Sequence, residues 1–257
     1  MPLRIAVIIP ALNEERSLPL VLAGLKKLPP LVLPDGTQII LSNVIVVDNG
    51  STDATAAMAA AEGATVLTEL RRGYGAACLA GIAHLAADPP DIVVFLDADF
   101  SDDPGLLPDL VLPIATGGHD FVLGSRLLGV MEPGALLPQA RYGNRLSVGL
   151  IRLLYGYWYT DLGPFRAIRY DSLIMLGMLD KTFGWTAEMQ VKALLFGLRV
   201  KEVPVPYRVR IGTSKITGTV SGTVKAGAKI LWTIARYRLA PSPAIPDGSV
   251  TRARGRS

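Results

Sequence analysis

Short apolar runs alternate with helical stretches in the first half of the sequence, and this alternation restricts the fold more than any other feature. The runs lie at residues 5–10, 44–48, 66–67, 92–97 and 121–124. Strands that alternate with helices are typical of a mostly parallel sheet with helices on both faces. The chain has 257 residues, half of them apolar, which is enough to bury such a core. The sequence therefore predicts an α/β fold.

Polar segments follow four of the predicted strands. They are Asn13-Glu14, Asp48-Asn49-Gly50-Ser51, Asp97-Ala98-Asp99 and Ser125-Arg126. Ligands of open parallel sheets bind beyond the carboxyl ends of the strands, so these segments are expected to meet at one edge. Each segment alone is also typical of a turn or a helix cap, and for Asn49-Gly50 or Ser51 this alternative has about equal weight. The agreement of all four favours a binding site.

Asp97 and Asp99 are the candidate metal ligands. Mg²⁺ takes oxygen ligands and usually binds through one or two carboxylates together with substrate phosphates. Two carboxylates at the end of a buried strand therefore indicate a divalent cation that holds a diphosphate. From this pair alone, acidic loop residues that cap the next helix remain an alternative.

Charge is distributed unevenly along the chain. Residues 1–125 contain 6 Lys/Arg and 15 Asp/Glu, whereas residues 126–257 contain 20 and 7. The acidic half suits a metal and the basic half suits phosphates or an anionic surface, although solvated charge is the plain alternative. No aromatic-interleaved basic groove or nucleic-acid-reading motif is evident, so we expect no nucleic acid partner.

Compartment and membrane topology are predicted from cysteine content and apolar run lengths. Cys78 is the only cysteine, which excludes a disulfide framework. The first residues lack the apolar region of a signal peptide, and no apolar run reaches the ~18 residues of a membrane span. These features predict a cytoplasmic protein without a transmembrane segment.

The second half predicts helices at 141–155 and 186–196, an extended piece at 165–169, a strand at 198–207 and a last helix at 220–239. Lys225, Lys229 and Arg236, with Trp232 between them, fall on one side of this last helix. Such a helix is typical of a membrane interface, but also of a helix packed on its own domain. We predict a domain over residues 1–215, this amphipathic helix over 216–240 and a solvated, disordered basic tail over 241–257.

Five motifs together resemble those of family 2 glycosyltransferases in order and spacing. They are Pro10-Ala11-Leu12-Asn13-Glu14, Asp48-Asn49-Gly50-Ser51-Thr52-Asp53, Gly73-Tyr74-Gly75, Leu96-Asp97-Ala98-Asp99 and Gly124-Ser125-Arg126. Two later segments, Asp161-Leu162-Gly163-Pro164-Phe165-Arg166 and Gly212-Thr213-Ser214-Lys215, are similar to those of polyprenyl-phosphate sugar transferases of the dolichyl-phosphate mannose synthase type. The resemblance covers about residues 4–215.

The resemblance implies a GT-A fold and inverting transfer of a sugar from a UDP- or GDP-sugar. Asp99 is implied as the ligand of Mg²⁺ or Mn²⁺, with Asp97 beside the metal and the ribose. The implied nucleotide-sugar pocket comprises Pro10, Ala11, Asn13, Glu14, Asp48, Asn49, Gly75, Asp97 and Ala98. The implied donor or acceptor phosphate contacts are Arg126, Arg166 and Lys215, with Arg208 or Arg210.

This sequence departs from the family pattern at three places. Asn49 stands where a second aspartate is usual, which removes a charge but keeps a hydrogen-bonding group. The segment at Gly163-Pro164 is one residue shorter than the commoner form. Around Glu188, the Gln and Glu usual in the lipid-phosphate transferases are exchanged. These departures affect the acceptor more than the donor class.

The acceptor decides which further residues are catalytic. A hydroxyl acceptor needs a general base, for which Glu188 or Asp161 are the candidates. A lipid phosphate needs cations instead, because its second pKa of about 6 leaves it ionised at pH 7. The arginines favour a polyprenyl phosphate, which predicts a peripheral enzyme on the cytosolic membrane face.

Two further classes of protein remain as alternatives. The segment Gly73-Tyr74-Gly75-Ala76-Ala77-Cys78 partly resembles a dinucleotide fingerprint, but it follows the third predicted strand and has Cys where Gly or Ala is expected. A non-catalytic relative that binds a nucleotide sugar is the other alternative, and retention of both Asp97 and Asp99 argues against it.

Overall fold

The computed structural model describes residues 1–212 and 220–239. Its strands are β1 (Leu3–Ala11), β2 (Leu31–Val32), β3 (Gln38–Asp48), β4 (Thr65–Thr68), β5 (Ile92–Phe95), β6 (Phe121–Ser125), β7 (Arg166–Arg169) and β8 (Val200–Pro204). Its α-helices are α1 (Leu18–Lys26), α2 (Thr55–Ala61), α3 (Tyr74–Leu85), α4 (Leu107–Ala115), α5 (Pro138–Tyr155), α6 (Tyr170–Leu176), α7 (Trp185–Leu195) and α8 (Val220–Leu239). A 3₁₀ turn at Pro104–Leu106 precedes α4.

The strands form one mixed sheet in the order β2-β3-β1-β5-β7-β6-β8, with β4 also paired to β3. β1 runs parallel to both β3 and β5, β4 is parallel to β3, and β8 is parallel to β6. β7 is inserted antiparallel between β5 and β6, and β2 is antiparallel to β3. The predicted α/β class is confirmed, whereas the hairpin strand β2 and the short helix α6 were not predicted.

Helices cover both faces of the sheet, as the sequence predicts. Along β1, Ile5, Val7 and Ile9 pack into one core with α1 and α4. The alternate residues Ala6 and Ile8 pack into a second core with α3 and α7. Successive side chains of a strand point to opposite faces, so an uninterrupted apolar strand requires cover on both sides.

The last helix, α8, packs against α5 and α7. The Tyr155 hydroxyl of α5 donates to the Ile234 carbonyl at 2.7 Å, and Ile234 is fully buried. Lys229, which lies on the predicted basic side, pairs with Asp180 at 2.8 Å. Trp232 remains exposed. The helix is thus docked on the domain along one side, and no helix in the described part of the chain is long and apolar enough to cross a membrane.

Candidate active site

The carboxyl ends of the central strands converge, as predicted. Ala11 at the end of β1 is in register with Asp48 of β3, and the Asn49 amide donates to the Ala11 carbonyl at 2.8 Å. On the other side of β1, Leu96 donates to the Ile8 carbonyl at 3.2 Å. The segments that follow β1, β3 and β5 therefore lie next to one another.

Two adjoining cavities open at this edge. The first cavity, of about 330 Å³, is lined by Pro10, Ala11, Leu12, Glu14, Asn49, Arg72, Gly73, Tyr74, Ala77, Asp97, Ala98, Asp99, Thr182, Phe183 and Arg210. The second cavity, of about 500 Å³, shares Tyr74, Asp97, Asp99, Phe183 and Arg210 with the first. It extends to Arg126, to the N-terminus of α5 and to Ala226 and Ile230 of α8. Its other walls are mostly apolar.

Asp99 is held by fixed donors on one side and a cation on the other. Its Oδ1 accepts the Ser101 amide at 2.9 Å and the Ser101 hydroxyl at 2.5 Å. Its Oδ2 lies 2.6 Å from Nη2 of Arg210. The same Nη2 is 3.9 Å from Oε1 of Glu14, whose Oε2 accepts the Ser17 hydroxyl at 2.8 Å. Arg210 therefore bridges two carboxylates at the junction of the cavities.

Asp97 has a buried oxygen that fits a cation. Its Oδ1 has no hydrogen-bond partner among the described residues. Burial, reinforced by the charge of Asp99, raises the pKa of Asp97 to about 7. Within the described residues no group of three or more His, Cys, Asp or Glu side chains is arranged to hold a metal. A divalent cation would therefore be held by Asp97, Asp99 and oxygens of the ligand or water, as is common for Mg²⁺.

Asn13 and Asp48 support the wall of the first cavity and do not line it. Asp48 accepts the Ser51 amide at 3.0 Å through Oδ1. Asn13 has a left-handed φ of 54°, and its Oδ1 accepts the Thr52 amide at 2.8 Å. The two loops beyond β1 and β3 are thus fastened to each other.

Asn49 fastens the loop of residues 69–73 to the end of β3. Its Nδ2 donates to the carbonyls of Glu69 and Arg71, both at 2.8 Å, and its Oδ1 accepts the Gly73 amide at 2.7 Å. An ionised aspartate cannot donate, so it could not make the first two bonds. The departure from the family pattern at this position therefore has a structural reason.

The α6–α7 loop (residues 177–184) docks on the N-terminus of α3. The amides of Gly75 and Ala76 donate to the carbonyls of Thr182 and Lys181 at 3.3 and 3.0 Å. A Cβ at Gly75 would lie 2.0 Å from the Asp180 carbonyl oxygen, so only glycine permits this approach. The contact places Thr182 and Phe183 in the cavity wall.

Gly75→Ala should lower the free energy of unfolding by about 1–3 kcal/mol, as expected when a side chain is forced into a packed contact. It should also weaken nucleotide binding, because the α6–α7 loop must move. Gly149→Ala on α5 is the matched control, since nothing lies within 4 Å of its Cβ position. That change should stabilise the protein by about 0.5–1 kcal/mol. Urea unfolding measures both variants, and equal effects would contradict the docking argument.

Arg126 forms a two-point ion pair with Asp161. Its Nε and Nη2 donate to Oδ2 and Oδ1 of Asp161, both at 2.7 Å, and its backbone amide donates to Oδ2 at 3.0 Å. Burial raises the pKa of Asp161, but the charge and hydrogen bonds of Arg126 outweigh burial and leave the pKa below its ordinary value. A carboxylate this fully engaged is a poor base. The structure therefore does not support Asp161 as the general base, whereas Arg126 lines the second cavity.

Glu188 lies outside both cavities and is fully buried. Its carboxylate accepts the amides of Leu179 and Asp180 at 3.0 and 2.6 Å, and the Tyr237 hydroxyl at 2.5 Å. It also pairs with Lys192 at 2.7 Å. These contacts do not fit the predicted role of general base, because Glu188 ties the α6–α7 loop and α8 to α7 and lines neither cavity.

Arg166 and Arg208 do not line either cavity, which corrects their predicted phosphate contacts. Arg166 is fully buried in β7, where it donates to the Thr186 carbonyl at 3.1 Å and to the Gly163 carbonyl, and burial lowers its pKa to about 10. Arg208 pairs with Asp103 at 2.6 Å. Lys215 lies outside the described residues. Arg126 and Arg210 are the predicted cations that reach the cavities.

Seven residues that line the first cavity were not predicted as site residues, and four of these have polar or aromatic side chains. The four are Arg72, Tyr74, Thr182 and Phe183, and the other three are Leu12, Gly73 and Ala77. Arg72 and Tyr74 flank Gly73, so the recognised motif Gly73-Tyr74-Gly75 was the signal that could have identified them in the sequence. Thr182 and Phe183 reach the site only through the docking of a loop that is distant in sequence.

Comparison with known sequences gives the same family as the sequence motifs. The model of the family described as glycosyl transferase family 2 matches residues 6–176. An uncharacterised glycosyltransferase of Mycobacterium tuberculosis is 39% identical over 225 residues, which cover 86% of this chain and 94% of that protein. The undecaprenyl-phosphate mannosyltransferase of Micrococcus luteus is 33% identical and covers 86% of this chain and 90% of its own length.

Structural comparison supports the same fold. Glucosyl-3-phosphoglycerate synthase from Mycobacterium tuberculosis, solved with Mn²⁺, UDP-glucose and phosphoglyceric acid, has a TM-score of 0.69 and 25% identity. The match covers 93% of this chain and 80% of that structure. The GT-A fold expected from the sequence is confirmed. Together with the family match over most of the chain, it establishes that this protein belongs to glycosyl transferase family 2.

Proposed function

We propose that this glycosyltransferase transfers a sugar, with inversion, from a UDP- or GDP-sugar to a polyprenyl phosphate. In this proposal the donor occupies the first cavity and the acceptor phosphate enters through the second. Asp97 and Asp99 would hold Mg²⁺ or Mn²⁺. The observation that carries the acceptor assignment is the composition of the second cavity.

The donor side rests on the first cavity and its carboxylates. Asp99 is preorganised by Ser101, and the buried oxygen of Asp97 needs a partner. A bound divalent cation would neutralise the leaving diphosphate as a Lewis acid. The related synthase, 25% identical, was solved with Mn²⁺ and UDP-glucose, which supports this use of the site.

The acceptor side rests on a cavity that combines two guanidinium groups with apolar walls. The cations are Arg126 and Arg210, and the apolar lining includes Leu136, Leu137, Ala140, Leu162, Val209, Ala226 and Ile230. A phosphate on an isoprenoid chain matches both parts, because arginine donates to phosphate oxygens and the chain needs apolar contact. A small polar acceptor would leave most of that wall unused. Relatives named for undecaprenyl and dolichyl phosphate, 33% and 32% identical, support the same class.

The carboxylates around the second cavity favour the phosphate nucleophile, because none of those in the described part of the chain is placed to act as a base. Asp97 and Asp99 are the carboxylates among the described residues that line the second cavity, and both are assigned to the metal. Glu188 and Asp161 are engaged elsewhere, as described above. A phosphomonoester with a second pKa of about 6 needs no base at pH 7. The chain's own residues then have to orient and neutralise the phosphate, which is the role proposed for Arg126 and Arg210.

Helices α5 and α8 are proposed to face an anionic membrane. Both line the second cavity, α5 at its N-terminus and α8 through Ala226 and Ile230, and they pack side by side. Together they contain seven Lys/Arg and no Asp/Glu. Their exposed apolar side chains are Tyr142, Leu146, Leu153, Val224, Trp232 and Leu239. Basic residues beside exposed apolar ones are typical of helices that lie on anionic lipid, which supports peripheral binding at the cytosolic face.

The acceptor is tested with labelled UDP- and GDP-sugars, Mn²⁺ and three acceptors: a short polyprenyl phosphate, the matching prenol and phosphoglycerate. We expect a lipid-extractable product with the polyprenyl phosphate and none with the prenol, and its formation should stop with a metal chelator. With a long-chain acceptor in vesicles, anionic lipid should raise the rate. Label in phosphoglycerate alone, or equal use of the prenol, would contradict the proposed acceptor.

A soluble phosphorylated acceptor is the second candidate. It is favoured by the structural similarity to a synthase that was solved with phosphoglyceric acid. Such an acceptor also carries a phosphate that Arg126 and Arg210 could bind. The same assay separates the two candidates, because only one of the products enters the organic phase.

A further inference from the structure

Arg210 stands where the proposed metal site needs an open coordination position. We propose that Arg210 is a tethered counter-cation: it neutralises Asp99 and Glu14 before loading, must leave Asp99 when a divalent cation binds, and then donates to the diphosphate. The inference rests on the metal assignment within the proposed function. It adds a competition between the Arg210 side chain and the metal. This competition predicts the direction in which Mn²⁺ affinity changes when Arg210 is replaced.

The distances make joint occupancy of Asp99 unfavourable. Nη2 of Arg210 is 2.6 Å from Oδ2 of Asp99, while Oδ1 already accepts two bonds from Ser101. A divalent cation that used Oδ2 would lie within contact distance of the guanidinium. Two positive groups so close repel each other strongly in a partly buried site. One of them has to move.

The backbone holds Arg210 at this position. The Arg208 amide donates to the Ser101 carbonyl at 2.9 Å, and the Ile211 amide donates to the Asp99 carbonyl at 3.0 Å. The segment of residues 208–211 is therefore bonded directly to the loop that carries the two aspartates. The segment turns at Gly212, which has a left-handed φ of 92°. A Cβ at Gly212 would lie 4.0 Å from Oε2 of Glu14. Release of the side chain does not require release of this backbone.

The guanidinium also has an unused donor. Nε of Arg210 is buried and has no hydrogen-bond partner among the described residues. Arg210 lines both cavities, so its donors face the region where a diphosphate or an acceptor phosphate would lie. Arginine forks onto phosphate oxygens through two parallel N–H bonds. A phosphate therefore offers Arg210 a replacement for the carboxylate that the metal takes.

Metal and diphosphate binding should consequently be coupled through Arg210. Without nucleotide, the metal has to displace the guanidinium from Asp99, which weakens metal binding. With nucleotide, the displaced guanidinium gains a phosphate partner. Part of the positive coupling between the two ligands is then carried by this side chain.

Titration calorimetry of the full chain with Mn²⁺, without nucleotide and at fixed ionic strength, tests the competition. Arg210→Met should tighten Mn²⁺ binding by about three- to tenfold, the range expected for removal of one partly exposed ion pair. Arg210→Lys should change it less, because the charge remains. With Mn²⁺ saturating, Arg210→Met should weaken UDP binding.

Arg208→Met is the matched control. Arg208 lies two residues away, its side chain is 33% exposed against 31% for Arg210, and it pairs with Asp103. Its removal should leave Mn²⁺ affinity unchanged. Unchanged or weaker Mn²⁺ binding in Arg210→Met would overturn the proposal, and so would an equal shift in both variants.

Arg210→Gln provides a second neutral variant if Arg210→Met unfolds, and the same signs are expected. The outcome is separable from the proposed function. Wild-type protein that binds no Mn²⁺ even with UDP present would refute the metal assignment itself, and the inference with it. Normal Mn²⁺ competition without any lipid product would leave the inference standing and remove only the proposed acceptor.

Discussion

Asp99→Asn should lower the rate of sugar transfer by about 10²- to 10³-fold, the range seen when one electrostatic group is removed from a transition-state site. The substitution keeps the shape of the side chain. An amide oxygen can still accept the amide and hydroxyl of Ser101, so the loop should remain folded. The negative charge that faces Arg210 and the proposed metal is lost.

Asp99→Asn is assessed by its initial rate of sugar transfer and by the ligand-induced shift of its melting temperature. In the wild type, a UDP-sugar with Mn²⁺ should raise the melting temperature more than either alone, because ligands that bind only the folded state stabilise it. In Asp99→Asn the metal-dependent part of that shift should disappear.

Asp103→Asn is the matched control for Asp99→Asn. Asp103 lies on the same loop, caps the 3₁₀ turn through the Gly105 amide at 3.0 Å and pairs with Arg208, but it lines neither cavity. Its rate should stay within a few-fold of wild type. A full metal-dependent shift in Asp99→Asn would contradict the assignment of Asp99 as metal ligand.

The sequence was sufficient to predict the sheet edge at which the site lies. The strand ends, the segment Asp97-Ala98-Asp99 and the convergence with Glu14 all depend on local periodicity and on one general rule about parallel sheets. These signals are contained in a few consecutive residues. They can be recognised without knowing the order of strands in the sheet.

The roles of several charged residues depended instead on topology. Arg166 belongs to a segment similar to those of lipid-phosphate transferases, but β7 is inserted between β5 and β6, which buries the side chain in the centre of the sheet. Glu188 faces the backbone of the α6–α7 loop. Neither the insertion of β7 nor the course of this loop is visible in a local pattern. Both residues therefore match a functional pattern in the sequence, but in the fold neither lines a cavity.

The same reasoning explains why Arg126 and Arg210 differ from the other arginines that were predicted to contact phosphates. Arg126 follows a strand end and the backbone beside Arg210 is bonded to the aspartate loop, so both side chains line the second cavity. The basic second half of the sequence does not distinguish them from Arg166 or Arg208. Position relative to the sheet edge does.

Asp161→Asn should have the largest effect on stability, with a loss of about 3–5 kcal/mol of unfolding free energy, the usual result of breaking a buried ion pair. Asp161 is 1% exposed and Arg126 is 12% exposed, and the variant leaves the guanidinium with no full negative charge opposite it. Chemical unfolding with urea at neutral pH measures the difference.

The difference in unfolding free energy between wild type and Asp161→Asn should become smaller as the pH falls. The pKa of Asp161 is lower in the folded protein than its ordinary value because of Arg126. Its contribution to stability is therefore complete above the unfolded pKa of about 3.9 and disappears as the pH falls through the lower folded value. Wild type and Asp161→Asn should differ most near neutral pH and converge on acidification below about pH 4.

A double variant separates the ion pair from the packing of its side chains. Arg126→Met with Asp161→Leu replaces both charges by apolar groups of similar size, and such replacements of buried pairs are often neutral or stabilising. The double variant should therefore recover most of the stability lost in Asp161→Asn, although sugar transfer should stay low because one of the two cations of the second cavity is gone. If the double variant is as unstable as the single one, the loss comes from the hydrogen bonds that Asp161 accepts from backbone amides and not from the unpaired charge of Arg126.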